Sequence, residues 1–227
     1  MKTIAIIPAR GESKGIPMKN LALLNGKPLL YYTVKASLDT SFINRTVVST
    51  DNAKISHEAK KLGAEVIPRP RELSADKIAI EPVMDYTLSK LEESEGYVPD
   101  TVILLQNTSP LRTAKHIDNA VKFFNEKKYD SVLSGYPSHH LFWKYEHGIA
   151  TPLNYNPLKR INRQQMKNQF VENGAIYITK YHLFKKNKCR ISGRIGLYEM
   201  PEELSIQIDS EYDLLFAQEI LKRRNRV

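Results

Sequence analysis

Short apolar runs alternate with amphipathic stretches over residues 3–134 of the chain. The runs are rich in β-branched residues and favour strands, whereas the longer stretches place apolar residues at helical spacing. The predicted strands are Thr3–Pro8, Thr46–Ser49, Glu65–Ile67, Thr101–Leu105 and Asp130–Ser134. The predicted helices are Leu29–Leu38, Ala53–Leu62, Glu81–Glu93 and Ile117–Asn125. Strands separated by helices of about ten residues predict βαβ units, and therefore an α/β fold whose mostly parallel sheet is covered on both faces.

This alternation stops after Gly135. Residues 137–168 contain three prolines, several Asn and Gln residues and no clear period. A stretch of this length without a pattern is typical of a functional segment or of an excursion that makes contacts elsewhere. Regular elements resume with strands predicted at Gly174–Thr179 and Ile195–Met200 and a helix at Asp213–Arg223. Since there is no internal repeat, we expect one domain over residues 1–227, with 137–168 as its excursion.

Composition places the chain among globular proteins that need no covalent support. It has 227 residues, 41% of them hydrophobic, and a single cysteine, which excludes an internal disulfide framework. No apolar run reaches about 18 residues, so no membrane-spanning helix is expected. The N-terminal sequence meets Pro8 and Arg10 before a signal-peptide core can form, which argues against secretion. The expected location is the cytoplasm, without a membrane partner.

The charge of the chain indicates an anionic ligand. Lys and Arg exceed Asp and Glu by 34 to 25, which gives a net charge of +9. Nucleic acid is one possible partner, but the basic residues are dispersed and none of the common nucleic-acid motifs is present. The chain is therefore predicted to bind no nucleic acid, and a small phosphorylated or carboxylated molecule is the preferred alternative.

The strongest local signal for chemistry lies in residues 7–20, where the first strand ends. Gly11 and Gly15 allow a backbone to approach a ligand, and Arg10, Lys14 and Lys19 supply cations. Loop amides together with cations suit a polyphosphate, and ligands of open α/β sheets bind beyond the carboxyl ends of the strands. The spacing is neither that of a Walker A loop nor that of the dinucleotide-binding fingerprint. A basic surface turn is the alternative interpretation.

Five ordered blocks make the chain resemble a known family. They are residues 7–20, the Arg-Pro-Arg-Glu-Leu-Ser-Ala-Asp segment 69–76, the Gln-Asn-Thr-Ser-Pro-Leu-Arg segment 106–112, Arg163-Gln164 with Asn173–Tyr177, and Ile208-Asp209 with Glu211–Leu214. Spread over nearly the whole chain, these blocks are similar to those of the CMP-N-acylneuraminate synthetases, which are sugar-nucleotide cytidylyltransferases. The resemblance implies a Rossmann-like nucleotide-diphosphosugar transferase fold with a protruding dimerisation segment.

The resemblance also implies a reaction. A nonulosonic acid and CTP would give the CMP-sugar and pyrophosphate, as the anomeric hydroxyl attacks the α-phosphorus. N-acetylneuraminate is the first candidate for the sugar; legionaminic acid, pseudaminic acid and Kdo are alternatives. Gly15 favours sialic or legionaminic acid, because pseudaminic-type relatives often carry Arg there.

The resemblance also implies roles for individual residues. Arg10 and Lys19 are expected to be catalytic, stabilising the charge of the leaving pyrophosphate. The expected nucleotide-binding residues are Arg10, Gly11, Ser13, Lys19, Asn20 and Arg71. The expected sugar-binding residues are Gln106, Lys144, Arg163, Asn173 and Tyr177. Because the family's counterpart of segment 137–168 reaches into a neighbouring site, a homodimer with shared active sites is implied.

Asp209 is the predicted ligand of Mg²⁺ and the third catalytic residue. Magnesium usually takes one or two carboxylates together with phosphate oxygens and waters. The family pattern here is Asp-x-Asp, whereas this chain has Gln207 before Asp209. Glu12 is a second departure, since Gly is usual at its position. Both departures favour the alternative hypothesis, a non-catalytic relative that binds a nucleotide or nucleic acid.

Overall fold

The apolar runs of the sequence form a seven-stranded mixed sheet. The computed structural model describes residues 1–160, 162–166 and 168–224. The sheet strands are β1 (Thr3–Pro8), β4 (Arg45–Thr50), β5 (Glu65–Pro68), β6 (Thr101–Leu104), β7 (Ser131–Pro137), β10 (Phe170–Lys180) and β11 (Ile195–Glu199). Two short hairpins lie outside it, formed by β2 (Leu23–Leu24) with β3 (Lys27–Pro28) and by β8 (Trp143–Glu146) with β9 (Ile149–Pro152).

The strand order is β11-β7-β10-β6-β1-β4-β5. Strand β1 pairs in parallel with β4 and β6, β4 with β5, and β7 with β11. Strand β10 alone among the described strands of this sheet runs against its neighbours, β6 and β7. The prediction of a mostly parallel sheet is thus confirmed.

Helices cover both faces of the sheet, as predicted. They are α1 (Leu29–Leu38), α2 (Ala53–Lys61), α3 (Ile80–Glu95), α4 (Ala114–Glu126), α5 (Tyr181–Asn187) and α6 (Glu211–Arg224). Successive side chains of a strand point to opposite faces. Ile4 and Ile6 accordingly pack in a cluster with Met84 of α3 and Phe184 of α5. Ala5 and Ile7 pack in another cluster, with side chains of α1, α2 and α4.

Three elements were not predicted. Helix α5 is only seven residues long and follows β10 directly, so it offers too few turns for a helical period to show. Hairpin β2–β3 has two residues in each strand. Hairpin β8–β9 lies inside segment 137–168 and turns at His147 and Gly148, which both have positive φ angles. The segment expected to be irregular therefore contains regular structure.

Among the described residues, none of the helices combines the length and the apolar character that crossing a membrane requires.

Candidate active site

A cavity of about 540 Å³ opens beyond the carboxyl ends of β1, β5 and β6. Three loops and one later segment form its walls. The first loop (residues 9–20) follows β1, the second loop (residues 69–79) follows β5, and residues 106–108 follow β6. Asp209 completes the lining from just before α6. The crossover topology thus brings residues from distant parts of the sequence to the edge where ligands bind in such sheets.

Side-chain hydrogen bonds fix the bend of the first loop. The side chain of Asn20 is buried and donates from Nδ2 to the carbonyl of Arg10 at 2.8 Å. Its Oδ1 accepts a hydrogen bond from Asn107 Nδ2 at 3.1 Å. The Gly11 amide donates to Asp51 Oδ1 at 2.9 Å. Asn20 therefore joins both ends of the loop to Asn107, one of the residues that line the cavity.

The first loop is also fastened to the segment that carries Asp209. Lys19 Nζ donates to the carbonyl of Ile208 at 2.8 Å and lies 3.0 Å from Asp209 Oδ1. A Cβ atom at Gly15 would overlap the backbone oxygen of Asp209, so the backbones approach closely there. The Lys19 side chain is 15% exposed and the Asp209 carboxylate 72% exposed. Lys19 thus holds its charge at the cavity wall while Asp209 faces solvent.

The second loop contributes a carboxylate and a buried cation. Asp76 Oδ1 lies 2.7 Å from Arg10 Nη1, and its Oδ2 lies 3.0 Å from Lys14 Nζ. Arg69 lines the cavity and is buried, which lowers the pKa of its guanidinium despite the opposing charge of Asp51. Arg71, the predicted nucleotide-binding residue of this loop, is exposed on a short 3₁₀ helix and does not line the cavity.

Arg112 supports the backbone of Gln106, which lines the cavity. The Arg112 side chain is fully buried and donates from Nη1 to the carbonyls of Gln106, at 3.2 Å, and Ala175, at 2.9 Å. Burial lowers its pKa to about 9. Gln106, a predicted sugar-binding residue, lines the cavity, and its Oε1 occupies the place that a Cβ atom at Gly174 would need.

Two predicted sugar-binding residues lie behind the cavity wall. Asn173 is fully buried; its Oδ1 accepts from Ser134 Oγ at 2.6 Å, and its Nδ2 donates to Ser205 Oγ at 2.9 Å. The buried Tyr177 hydroxyl donates to Glu172, and burial raises the pKa of this tyrosine. These contacts brace β10 and place neither side chain in the cavity lining.

Two further predicted residues lie on segment 137–168. Lys144 belongs to β8 and pairs with Glu146 at 2.9 Å. Arg163 begins a short 3₁₀ helix and lines a separate cleft with His139 and Phe170. Neither residue lines the main cavity of its own chain.

The remaining predicted residues line the cavity, with the exception of Gly11. Arg10, Ser13, Lys19, Asn20, Gln106 and Asp209 line the cavity together. Gly11 lies beside it and lines a smaller neighbouring cleft with the exposed Glu12. Three residues of the site are not among the predicted ones, although they belong to the blocks that carry the resemblance: Arg69, Asp76 and Arg112. Only their position in those blocks could have indicated these residues, because their roles depend on which loops meet in the folded chain.

Asp209 is the carboxylate that lines the cavity at the place predicted for a metal. Within residues 1–160, 162–166 and 168–224, no group of three or more His, Cys, Asp and Glu side chains is arranged to hold an ion. Gln207 lines a different cleft with Glu202 and Asp213. Asp213 accepts hydrogen bonds from the amides of Asp209 and Ser210, at 3.0 and 2.7 Å, at the start of α6.

The sheet and its crossovers form an α/β fold that solved structures share. A solved CMP-2-keto-3-deoxy-manno-octonic acid synthetase, in complex with CTP, superposes with a TM-score of 0.72 over 99% of this chain and 100% of that chain, at 14% identity. A 4-diphosphocytidyl-2C-methyl-D-erythritol synthase superposes with a TM-score of 0.68 over 97% and 99% of the two chains, at 11% identity. At such identities the likeness concerns the fold alone.

The chain belongs to the cytidylyltransferase family, whose model it matches over residues 4–224. It is 34% identical to N-acylneuraminate cytidylyltransferase A of Danio rerio over 96% of this chain and 50% of that protein. It is 36% identical to the N-acylneuraminate cytidylyltransferase of Escherichia coli O18:K1:H7 over 99% of this chain and 53% of that protein. The chain thus spans about half the length of these curated relatives. The predicted family is confirmed.

Proposed function

We propose that this chain transfers CMP from CTP to the anomeric hydroxyl of a nonulosonic acid and releases pyrophosphate. The observation that carries the proposal is the cavity that Arg10, Lys14 and Lys19 of the first loop line together with Gln106 and Asp209. A triphosphate needs several cations and a nucleophile needs a polar anchor. The names of the curated relatives support the same chemistry for this chain.

In this proposal the first loop binds the triphosphate and promotes loss of pyrophosphate. Negative charge develops on the leaving group as the bond to the α-phosphorus breaks, and preorganised cations stabilise that charge. Lys19 is suited to this role because two fixed oxygens hold it at the cavity wall. Arg10 and Ser13 line the same wall, and Gly11 and Asn20 support their backbone.

The sugar is proposed to bind near Gln106, whose amide can both donate and accept hydrogen bonds. N-acetylneuraminate is the proposed substrate, with legionaminic acid, pseudaminic acid and Kdo as alternatives. A nonulosonic acid carries a carboxylate, which requires a cation. The proposed cations, Lys144 and Arg163, lie outside the cavity of their own chain, which is consistent with a partner chain that completes the site.

A homodimer with shared active sites is therefore part of the proposal. Residues 1–227 form its single domain, and segment 137–168 is the excursion that meets the partner. The apolar side chains exposed on this segment, each between 48% and 92% exposed, are Phe142, Trp143, Tyr145, Ile149, Leu153 and Leu158. Exposed apolar patches of this kind mark interaction surfaces.

Charged residues on β8 are expected to separate the dimer. Trp143 and Tyr145 are alternate residues of β8, so they share one face of the strand. Trp143→Glu combined with Tyr145→Glu is expected to convert a dimer into a monomer in sedimentation velocity, because burying these charges is costly. Tyr212→Glu, on a tyrosine that is 75% exposed on α6, serves as the matched control. A double variant that stays dimeric would contradict this interface.

Magnesium is the proposed cofactor. Asp209 fits such an ion as one exposed carboxylate at the cavity mouth, with substrate phosphate oxygens and waters as its further ligands. When bound, the ion would neutralise triphosphate charge. The Lys19–Asp209 pair keeps the carboxylate at the wall where the phosphates are proposed to lie. We also propose a cytoplasmic location, because the single Cys189 suits a reducing compartment.

Pyrophosphate release by the purified chain tests the function and names the substrate. The chain is incubated with Mg²⁺, each of the four sugars and each of CTP, UTP, ATP and GTP. Release is expected only when CTP and a nonulosonic acid are both present, and it is expected to be fastest with N-acetylneuraminate. Release that continues in excess EDTA would contradict the magnesium proposal. A chain that folds and binds CTP but releases no pyrophosphate with any sugar would contradict the proposed reaction.

A further inference from the structure

Asp76 forms ion pairs with two of the three cations of the first loop, Arg10 and Lys14. One of its oxygens lies 2.7 Å from Arg10 Nη1 and the other 3.0 Å from Lys14 Nζ. The hydrogen bond from Lys14, together with the charges of Lys14 and Arg10, lowers the pKa of the Asp76 carboxyl, so Asp76 is an anion at neutral pH. An anionic group of the protein thus sits where an anionic ligand of the cavity would bind.

The stretch of the second loop that carries Asp76 has few other ties. All residues from Ala75 to Ala79 are exposed. The one described backbone hydrogen bond within the stretch is local, from the Ile78 amide to the carbonyl of Ala75. Salt bridges between partly exposed groups are weak, because water screens both charges. The two bridges of Asp76 are therefore strong enough to favour one position of the loop and weak enough for a multivalent anion to break.

We propose that Asp76 is a built-in competitor of the polyphosphate, and that a ligand must carry enough negative charge to displace it from Arg10 and Lys14. The inference rests on the proposed function in so far as the polyphosphate is that of a nucleotide. A triphosphate offers several charged oxygens to the two cations and displaces the single carboxylate. Once pyrophosphate has left, Asp76 returns to both cations, which opposes rebinding of pyrophosphate and releases the site for the next nucleotide.

The first loop provides a matched control for the charge of Asp76. Glu12 is another exposed carboxylate beside the same cations and lines one cleft with Asp76 and Lys14. It forms no ion pair within the described part of the chain. Glu12→Gln thus removes the same charge from the same neighbourhood without breaking the bridges of Asp76. A difference between the two variants reports on the bridges themselves.

Calorimetric titration with inorganic tripolyphosphate tests the proposal. Asp76→Asn is expected to bind tripolyphosphate about tenfold more tightly than the unmodified chain, and Glu12→Gln less than threefold more tightly. Hydrogen exchange supplies a second readout. Tripolyphosphate is expected to speed exchange of the Ile78 amide, which is hydrogen-bonded to Ala75, in the unmodified chain, whereas in Asp76→Asn this amide exchanges fast before the ligand is added. Asp76→Ser, which is also uncharged, is expected to repeat both results.

Three outcomes would overturn the inference, and they separate it from the proposed function. Affinity that is unchanged in Asp76→Asn, or that falls, would mean that Asp76 does not compete or that it positions the cations; the proposed function would stand. Exchange of the Ile78 amide that slows or stays unchanged on binding in the unmodified chain would likewise exclude displacement. Tripolyphosphate that binds none of the folded proteins would contradict the polyphosphate site of the proposed function, and with it this inference.

Discussion

Lys19→Met is expected to lower kcat/KM for CTP-dependent pyrophosphate release about a thousandfold. Removing one preorganised group that stabilises transition-state charge costs roughly 10²–10³ in rate, and a cation that faces a transferring phosphoryl group costs more. Lys19 is mostly buried and held by the Ile208 carbonyl and by Asp209. The positive charge of Lys19 is therefore fixed in position before the reaction. Water that replaces it in the variant would first have to reorient.

Lys14→Met provides the matched control, since it removes a cation of the same loop. Lys14 is 80% exposed, against 15% for Lys19. An exposed charge is screened by water, so we expect at most a tenfold loss of kcat/KM. Circular dichroism and urea unfolding establish that both variants are folded. Equal losses in the two variants would show that the fixed position of Lys19 has no special importance.

Gly15→Ala is expected to lower kcat/KM about a hundredfold in a chain that still folds. The added Cβ would overlap the backbone oxygen of Asp209, and neither backbone can make room without moving. Displacing a catalytic group by about 1 Å costs on the order of a hundredfold in rate. The change separates the first loop from Asp209, whose contact with Lys19 depends on that approach.

A second glycine controls for the substitution itself. Gly26 lies in the turn between β2 and β3 with a φ of +75°, and a Cβ there would meet nothing within 4 Å. Gly26→Ala therefore introduces backbone strain, which costs about 1–2 kcal/mol of stability, without a clash at the cavity. We expect its kcat/KM to stay within about twofold of the unmodified chain. A Gly15→Ala protein with similar activity would contradict the close approach.

The sheet and most of its helices were predictable from sequence because buried strands and amphipathic helices have distinct periods. Strands β1 and β6 are almost continuous apolar runs, and both lie at the centre of the sheet with every residue but Pro8 buried. The apolar period predicts the start of α4 at Ile117, three residues after its observed start at Ala114. Thr113 caps that helix and forms a reciprocal pair with His116, a polar signal outside the apolar period.

The cavity was predictable only in part, for a physical reason. Residues 10–20 could be assigned because one loop contains glycines and cations together. The ion pairs of Asp76 join the second loop to the first, and no local pattern reveals which loops will meet. Similarly, the resemblance placed Asn173 near the sugar, but its side chain is used entirely inside the protein by Ser134, Ser205 and the Ala175 amide.

The most direct test of the account follows the α-phosphorus of CTP. Purified chain is incubated with Mg²⁺, N-acetylneuraminate and CTP that carries a radioactive label at the α-phosphorus. The label is expected to move into a product that contains the sugar, with one pyrophosphate released for each label transferred. Label that remains in CTP, or that appears as free CMP without a sugar conjugate, would contradict the transfer of CMP.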